Sequence, residues 1–547
     1  MLEWFTYGRL KAVSEFILAL FSSSLPEDAG DRSQIHKGSP VPVVIPGLRS
    51  VFLNVRLRNI LFSTTMGQVR GSMDKERALS IGSVQIEESS SLTSEHEQRA
   101  LRKFDIFLLP AILLLILMAW LDRTNIGNAK IFGLEKSLGL KGNQFNNIST
   151  LFFPFYILLD VPWVVAVKRF GASRTLCVSM IGFTAATLGM GFCRTYAQAI
   201  GCRLVLGAFE AGLLPATIFI ISTIWDQNSQ GKRIAVVYIA TAISGAFGGL
   251  IAYGTQVGGD RSGLEAWRWL FIIEGTLSGG VGLLMLLFLP TSAEKAWFLN
   301  ANEQEAMRLR AQRNAVYKGE DQTFRWSYFS MAVLDPFVII AAITLFTHSI
   351  AVLGYSIFLP TIIRGFGYTA LQANYLTIPV YIFGAIVIGT VAFLSDRFKK
   401  RALFLCILVV PGILGYAIVV GTANKVAGYI AMFLCAGGMA TFSVIFLAWV
   451  SNNVSPEYKR SVALPFVLTI TNCSGLIGSQ LYIARDAPRY VKGNAVSMCC
   501  EIVAILGVAT MFWLLRRRNA QKEKLRAEGA TTNGMEGDKA LGFTYLL

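Results

Sequence analysis

Twelve long apolar segments recur along this chain of 547 residues. A helix needs about 20 mostly apolar residues to cross roughly 30 Å of hydrocarbon, and these segments are too long and too uniformly apolar for the strands of a membrane barrel. Charged residues make up only 15% of the chain, too few to cover the surface of a soluble protein of this size. The sequence therefore predicts an all-α membrane protein with twelve transmembrane helices. They are expected near 104–126, 146–167, 172–192, 196–224, 234–257, 267–289, 335–360, 372–395, 402–421, 425–450, 461–484 and 494–515.

The twelve segments form two sets of six on either side of a polar stretch. A shift of about 228 positions places the first segment on the seventh, and Lys168-Arg169-Phe170 on Asp396-Arg397-Phe398. This parallel repeat predicts two six-helix pseudo-repeats. The expected regions are a cytoplasmic, disordered tail over 1–98, a first bundle over 99–289, a cytoplasmic linker over 290–334, a second bundle over 335–516 and a cytoplasmic tail over 517–547.

Two of these regions allow more than one interpretation. We expect 1–72 to lie outside the fold as an extension of the gene model, although the apolar run over 16–21 could be a weak signal sequence or an amphipathic anchor. In the linker, the charged stretch over 294–313 predicts a helix lying along the cytoplasmic surface. A helix that is solvated on all sides is the alternative.

Basic residues set the expected orientation. Lys and Arg lie mainly in short runs between apolar segments, such as Arg516-Arg517-Arg518. With both termini inside, roughly 26 Lys and Arg flank the spans on the cytoplasmic side against about 11 outside, which is the positive-inside pattern. This predicts a multi-pass protein, expected in the plasma membrane and as a monomer in the lipid bilayer.

Several classes of function are excluded or disfavoured. The net charge of +16 could indicate a nucleic-acid partner, but no module that reads DNA or RNA is present. The eight cysteines lie in or beside apolar runs without a CxxC, and there are only three histidines. We therefore expect no metal and no cofactor. No nucleophile–base cluster occurs within the spans, so we do not expect an enzyme.

Ionisable residues within spans are costly, so each is a candidate functional residue. Asp122 and Arg123 lie near the end of the first span, where the guanidinium could bind an anion through two donors and the carboxylate could carry a proton. The alternative is a helix that ends at the surface with solvated charges.

The fourth span carries a second charged pair. Arg203 and Glu210 are seven residues apart, so both project from one face about 10 Å from each other and could border a common cavity. Glu210 is then a candidate proton carrier. The alternative is that each forms a structural charge pair with a neighbouring helix.

Other positions give weaker signals. We expect Glu274 to pair with an Arg and Glu501 to be structural. Asp396, Arg397 and Arg401 lie in a cytoplasmic loop and predict a latch between conformations. The candidates for ligand hydrogen bonds, each of which could instead be a packing residue, are Tyr156, His348, Tyr355, Asn472 and Gln480.

Six motifs resemble the fungal allantoate permease family, in the anion:cation symporter branch of the major facilitator superfamily. They are LDRTNIGNAK (121–130), RLVLGAFEAGLLPA (203–216), SGAFGGLIAYG (244–254), WRWLFIIEG (267–275), GYSIFLPTIIRGFGYTALQA (354–373) and SNNVSPEYKR (451–460). The chain departs from the family at Asp160, where Glu is usual, and at Ala392, where the superfamily often has Gly.

The resemblance implies the major facilitator fold and proton-driven uptake of an organic anion such as allantoate, nicotinate, pantothenate or a related carboxylate. It also implies that Asp122 and Glu210 carry protons, that Arg123 binds the anion, and that Arg203 and Tyr156 line the cavity. We therefore expect a proton-coupled importer of a small organic anion. An exporter working by proton antiport and a nutrient sensor without flux are the alternatives.

Overall fold

The computed structural model describes residues 71–547 apart from 226, 261–262, 291, 319–325 and 399, with side chains from Glu95 onward and a few further gaps. The expectations for 1–70 lie outside the described residues. The chain divides into two units, Met1–Gln85 and Ile86–Leu547, and the second contains the long apolar helices.

The helices alternate with short connections. They are α1 (Gly71–Ile131), α2 (Leu134–Ser137), α3 (Gln144–Thr150), α4 (Phe152–Phe170), α5 (Ala172–Phe192), α6 (Tyr196–Glu210), α7 (Leu213–Ile224), α8 (Gln227–Gly258), α9 (Ala266–Phe288), α10 (Ala301–Lys318), α11 (Trp326–Val333), α12 (Pro336–Gly365), α13 (Ala370–Phe398), α14 (Arg401–Gly421), α15 (Lys425–Asn453), α16 (Glu457–Asn472), α17 (Ser474–Gly478) and α18 (Val491–Ala527).

The prediction of an all-α membrane protein built from two sets of six helices is confirmed. Eleven segments of the described chain are long and apolar enough to cross a membrane. The remaining predicted span, near 234–257, falls within the 32-residue helix α8. Spans one to six are formed by α1, α3 with α4, α5, α6 with α7, α8, and α9. Spans seven to twelve are formed by α12, α13, α14, α15, α16 with α17, and α18.

Helix α1 begins earlier than the sequence predicts. The backbone of 73–98, which the Ser- and Glu-rich composition predicts as a disordered tail, is helical. The segment also contains Ala, Arg and Gln, which are good helix formers. Extending an existing helix costs far less than starting one, so the apolar span downstream supports the helix through this polar stretch.

The linker packs against the first span. Lys103 Nζ lies 2.7 Å from Glu303 Oε2, and the Phe298 ring meets that of Phe104 at 5.0 Å. Met307 of α10 is buried in the apolar cluster of the first half. A helix solvated on all sides, one of the two interpretations of 294–313, is therefore wrong, because one face of α10 packs on the bundle.

The C-terminal tail also folds back onto its bundle. Lys459 Nζ lies 2.6 Å from Asp335 Oδ2, at the start of α12, and 2.8 Å from Asp538 Oδ1 in the tail. The Tyr545 hydroxyl donates to Asp538 Oδ2 at 3.0 Å, and Trp449 Nε1 donates to the Leu546 carbonyl at 2.8 Å. The tail thereby joins the ends of four spans of the second half.

The two ends of the spans differ in how the halves meet. We call the end beside 290–334 the linker face and the opposite end, beside 132–143 and 479–490, the loop face. One apolar cluster lies within the first half and one within the second, while a third combines residues of both halves near the loop face. Of these three clusters of described residues, the third is the one whose buried members come from both halves.

Polar contacts join the halves at the same end. Gln480 Nε2 donates to Thr150 Oγ1 at 2.7 Å and to Asn147 Oδ1 at 3.2 Å. Asn146 Nδ2 donates to the Ser479 carbonyl at 3.0 Å. These bonds close the loop face. The ion pairs described near the linker face, such as that of Arg233 with Asp105, join residues of the same half.

Gly127 allows a close approach of the two halves. A Cβ atom at this position on α1 would lie 1.8 Å from the carbonyl oxygen of Ile357 on α12. Real Cβ atoms do not come this close to an oxygen, so only glycine fits while the loop face is closed.

Candidate functional site

The first span carries its charges deep inside the bundle. Helix α1 continues past Asp122 and Arg123 to Ile131, and the Asp122 residue is 1% exposed. The alternative of a helix that ends at the surface with solvated charges is therefore wrong. An ionised group at such a site requires a partner, because removing it from water is costly.

Those partners come from the fourth span. Arg203 Nη1 lies 2.9 Å from Asp122 Oδ2, and Arg123 Nε lies 2.5 Å from Glu210 Oε1. Arg203 and Glu210 are two turns apart on one face of α6, so each meets one of the two adjacent charges of α1. The spacing within α6 thus places Arg203 opposite Asp122, and Glu210 opposite Arg123.

Three aromatic rings enclose the Arg123 guanidinium. Its Cζ atom lies 4.8 Å from the ring centre of Trp120, 5.1 Å from that of Phe152 and 4.6 Å from that of Tyr156. Such contacts stabilise a cation most when water is excluded. The second and fourth spans approach closely here because Gly207 has no Cβ, which would lie 2.1 Å from the Phe152 carbonyl oxygen.

Several polar atoms of the two pairs lack a protein partner. Nε and Nη2 of Arg203 and Oε2 of Glu210 are buried and form no hydrogen bond with any residue that the structure describes. Buried polar groups normally find a partner, which can be water or a ligand. The site therefore presents two guanidinium donors and one carboxylate oxygen that a small anion and a proton could use.

The expectation that Glu274 pairs with an Arg is wrong. Its Oε2 accepts a hydrogen bond from Asn125 Nδ2 at 2.6 Å. The nearby Arg268 instead pairs with Glu265 at 3.2 Å. Six residues on a helix turn through about 600°, so Arg268 and Glu274 point to different sides of α9. Sequence reasoning missed Glu274 as a member of the charged site.

The candidates of the second half do not contact these charges. His348 is fully buried, with Nδ1 3.1 Å from Glu501 Oε2 and Nε2 3.1 Å from the Met439 carbonyl. Tyr355 donates to the Met432 carbonyl at 2.9 Å. Asn472 is half-buried at the end of α16. Both nitrogens of His348 and the hydroxyl of Tyr355 are thus engaged within the second half.

The expected latch is described only in part. The side chain of Asp396 lies outside the described set. Arg397 is exposed and Arg401 is half-buried. Within the part of the chain that the structure describes, no three His, Cys, Asp or Glu side chains are arranged to hold a metal ion.

Several known proteins are similar to this chain in sequence. The chain is 37% identical over 465 residues to an uncharacterized transporter of Schizosaccharomyces pombe, covering 84% of this chain and 92% of that one. It is 33% identical over 430 residues to the high-affinity nicotinic acid transporter of Saccharomyces cerevisiae, covering 78% of this chain and 80% of that one.

Solved structures with lower sequence identity show the same fold. A bacterial homolog of the human lysosomal transporter Spinster superimposes with a TM-score of 0.59 at 15% identity, covering 75% of this chain and 96% of that one. The xylose transporter XylE of E. coli gives 0.59 at 14% identity, covering 74% and 97%. The profile of the Major Facilitator Superfamily matches residues 112–479. With its twelve-helix fold and these relatives, the chain belongs to the Major Facilitator Superfamily of membrane transporters.

Proposed function

We propose that this transporter takes up a small organic anion together with protons, by alternating access between its two halves. The observation that carries the proposal is the buried ion pair of Arg123 and Glu210, whose nitrogen and oxygen atoms lie 2.5 Å apart. It couples a group suited to an anion directly to a group suited to a proton.

The Glu210 carboxylate occupies the position that a substrate carboxylate would take. Arg123 presents a planar fork of donors, which fits carboxylates well. Protonation of Glu210 would remove its charge and release the guanidinium to an incoming anion. Anion and proton would then bind together, because the proton frees Arg123 from Glu210 and the anion takes the place of the Glu210 carboxylate at Arg123.

Arg203 would provide a second contact to the anion. It holds Asp122 through Nη1, while its Nε and Nη2 atoms have no partner among the described residues. Asp122 is the second proton-carrying candidate, for the same reason as Glu210. The ring of Tyr156, stacked on Arg123, would border the bound anion.

The closed loop face is one of the two states that alternating access requires. If the Lys and Arg distribution orients the linker face and both termini toward the cytoplasm, this state opens inward. Return to the outward state would break the contacts of Gln480 and separate the shared apolar cluster.

A carboxylate substrate agrees with the name of the nicotinic acid transporter among the relatives. We propose the plasma membrane as the location of the protein.

Proteoliposomes would test the proposal. Purified protein is reconstituted, and labelled nicotinate, pantothenate and allantoate are offered with and without an imposed proton gradient. We expect one of these anions to accumulate when the outside is acidic, and accumulation to stop when a protonophore removes the gradient. Accumulation that is indifferent to the gradient would contradict proton coupling, and anion release driven by an inward proton gradient would identify an exporter.

A further inference from the structure

Glu274 is a buried carboxyl group that belongs to neither of the two ion pairs. It is fully buried on α9, and its Oε1 atom has no hydrogen-bond partner in the described part of the chain. Its Oε2 atom accepts from Asn125 Nδ2 at 2.6 Å, and Asn125 Oδ1 in turn accepts from Asn128 Nδ2 at 3.0 Å. No ion pair to Glu274 occurs among the side chains that the structure describes.

The charges of the site do not balance unless one carboxyl group is neutral. Asp122, Arg203 and Glu210 act on Glu274 electrostatically, and Arg123 is paired with Glu210. Two guanidinium groups therefore face three carboxyl groups. Each guanidinium already holds one carboxylate within 3 Å. An ionised Glu274 would therefore be a buried charge without an ion pair among the described side chains, and its hydrogen-bond partner there is the Asn125 amide. The cost of such a charge is several kcal/mol or more.

We propose that Glu274 keeps a resident proton throughout the transport cycle, and that its neutral carboxyl group positions Asn125 of the first span. The empty site then carries no net charge, since two guanidinium groups balance two carboxylates. The consequence for transport that follows rests on the proposed function. A monovalent anion adds one negative charge, which one transported proton on Glu210 or Asp122 cancels. Uptake of a monovalent anion is then electroneutral, with one proton per anion.

Infrared spectroscopy tests the resident proton without any substrate. A protonated carboxyl group absorbs at a higher C=O frequency than a carboxylate, and the spectra of wild type and Glu274→Gln are subtracted. We expect a protonated band at neutral pH in the wild type that is missing in the variant. Glu265→Gln, which changes a half-exposed carboxylate just before the start of the same helix, should retain the band. Absence of a protonated band from the wild-type difference spectrum at neutral pH would overturn the proposal.

If Glu274→Gln does not fold, Asn125→Leu provides a second measurement. This change removes the amide that donates to Oε2, so the frequency of the same band should rise. A band that does not move cannot come from Glu274, and the assignment fails.

The electrical consequence is tested in proteoliposomes with nicotinate as the probe. A pH gradient should drive uptake, while a potassium diffusion potential set by valinomycin should neither drive nor retard it. Stimulation by an inside-negative potential would show that a second proton moves with each anion. If Glu274→Gln abolished that stimulation, the second proton would be the one on Glu274, and the proposal that Glu274 keeps its proton would be overturned. Absence of gradient-driven uptake of any tested anion would count against the proposed function, while the infrared result would still decide the state of Glu274.

Discussion

Arg123 donates through Nε to Glu210 Oε1 at 2.5 Å, while its guanidinium lies within 4.6 Å of the centre of the Tyr156 ring. The group best suited to bind an anion is thus already occupied by the carboxylate best suited to carry a proton. A proton and an anion would therefore change the same bond, and this relationship can be tested by changing either residue.

Glu210→Gln should separate exchange from accumulation. The amide resembles the protonated carboxyl group in shape and cannot be ionised, so Arg123 remains free to bind the anion. We expect the variant to exchange labelled for unlabelled anion in counterflow and to lose accumulation driven by a proton gradient. The two assays are run side by side in vesicles, with Glu305→Gln on the exposed face of α10 as control. A Gln variant that still concentrates the anion would refute the coupling role.

Arg123→Lys should weaken anion binding although it conserves the charge. The ammonium group lacks the planar fork of donors and stacks less well on three aromatic rings. We expect the apparent Kd to rise at least about tenfold, which corresponds to about 1.4 kcal/mol. Thermal protection by the transported anion measures this. Undiminished protection in the Lys variant would exclude Arg123 from the binding site.

Gly127→Ala should prevent closure of the loop face. The added Cβ would lie 1.8 Å from the Ile357 carbonyl, so the first and seventh spans would be forced apart. We expect a cysteine placed at the exposed Lys141 of the loop face to stay equally reactive, and one placed at Asn146 to become reactive to a membrane-impermeant maleimide. Gly254→Ala is the control, because no atom lies within 4 Å of its Cβ position. Equal protection of Asn146→Cys in both backgrounds would contradict this role of Gly127.

Lys459→Met should strongly destabilise the second half. Lys459 is 1% exposed and lies between Asp335 and Asp538, which would lose one of the two cations that they share, the other being Arg518. Breaking a buried ion pair in this way typically costs about 3–5 kcal/mol. The control is Lys492→Met, whose side chain is 78% exposed and should change stability by about 0–1 kcal/mol. Thermal unfolding in detergent compares the two, and equal Tm values would show that the buried cluster contributes little.

The same cluster predicts a dependence of stability on acid. Burial alone would raise the pKa of Asp335, but Lys459 and Arg518 outweigh it, and the pKa is lowered in the folded protein. A carboxyl group with a lowered pKa stabilises the fold above its unfolded pKa of about 3.9, and this contribution is lost as pH falls through the folded value. We expect Tm to fall on acidification below about pH 4. The fall should be smaller in Asp335→Asn, and an equally steep fall would assign the acid sensitivity elsewhere.

The sequence predicts the spans well and the partners of their charges poorly. The third and fourth predicted spans coincide with Ala172–Phe192 and Tyr196–Ile224, because hydropathy along the chain reports directly on burial in a membrane. Pairing across helices depends on how each helix is rotated about its axis, which hydropathy does not report. The bonds of Glu210 to Arg123 and of Glu274 to Asn125 therefore became visible only in the structure.

The docked C-terminal tail shows a similar limit. The sequence predicts a cytoplasmic tail over 517–547 but not its docking, because the contacts of the tail rely on single residues such as Asp538 and Tyr545. Such long-range contacts have no periodic signature in the sequence.

The apolar cluster that both halves share near the loop face has a thermodynamic consequence. Opening that face exposes the cluster, so the two states of the carrier should differ in heat capacity. Apolar contacts weaken on cooling, and the resting population should therefore drift toward the state with an open loop face at low temperature. The transport rate would then show a curved temperature dependence that originates in the carrier's resting equilibrium and not in the binding of its substrate.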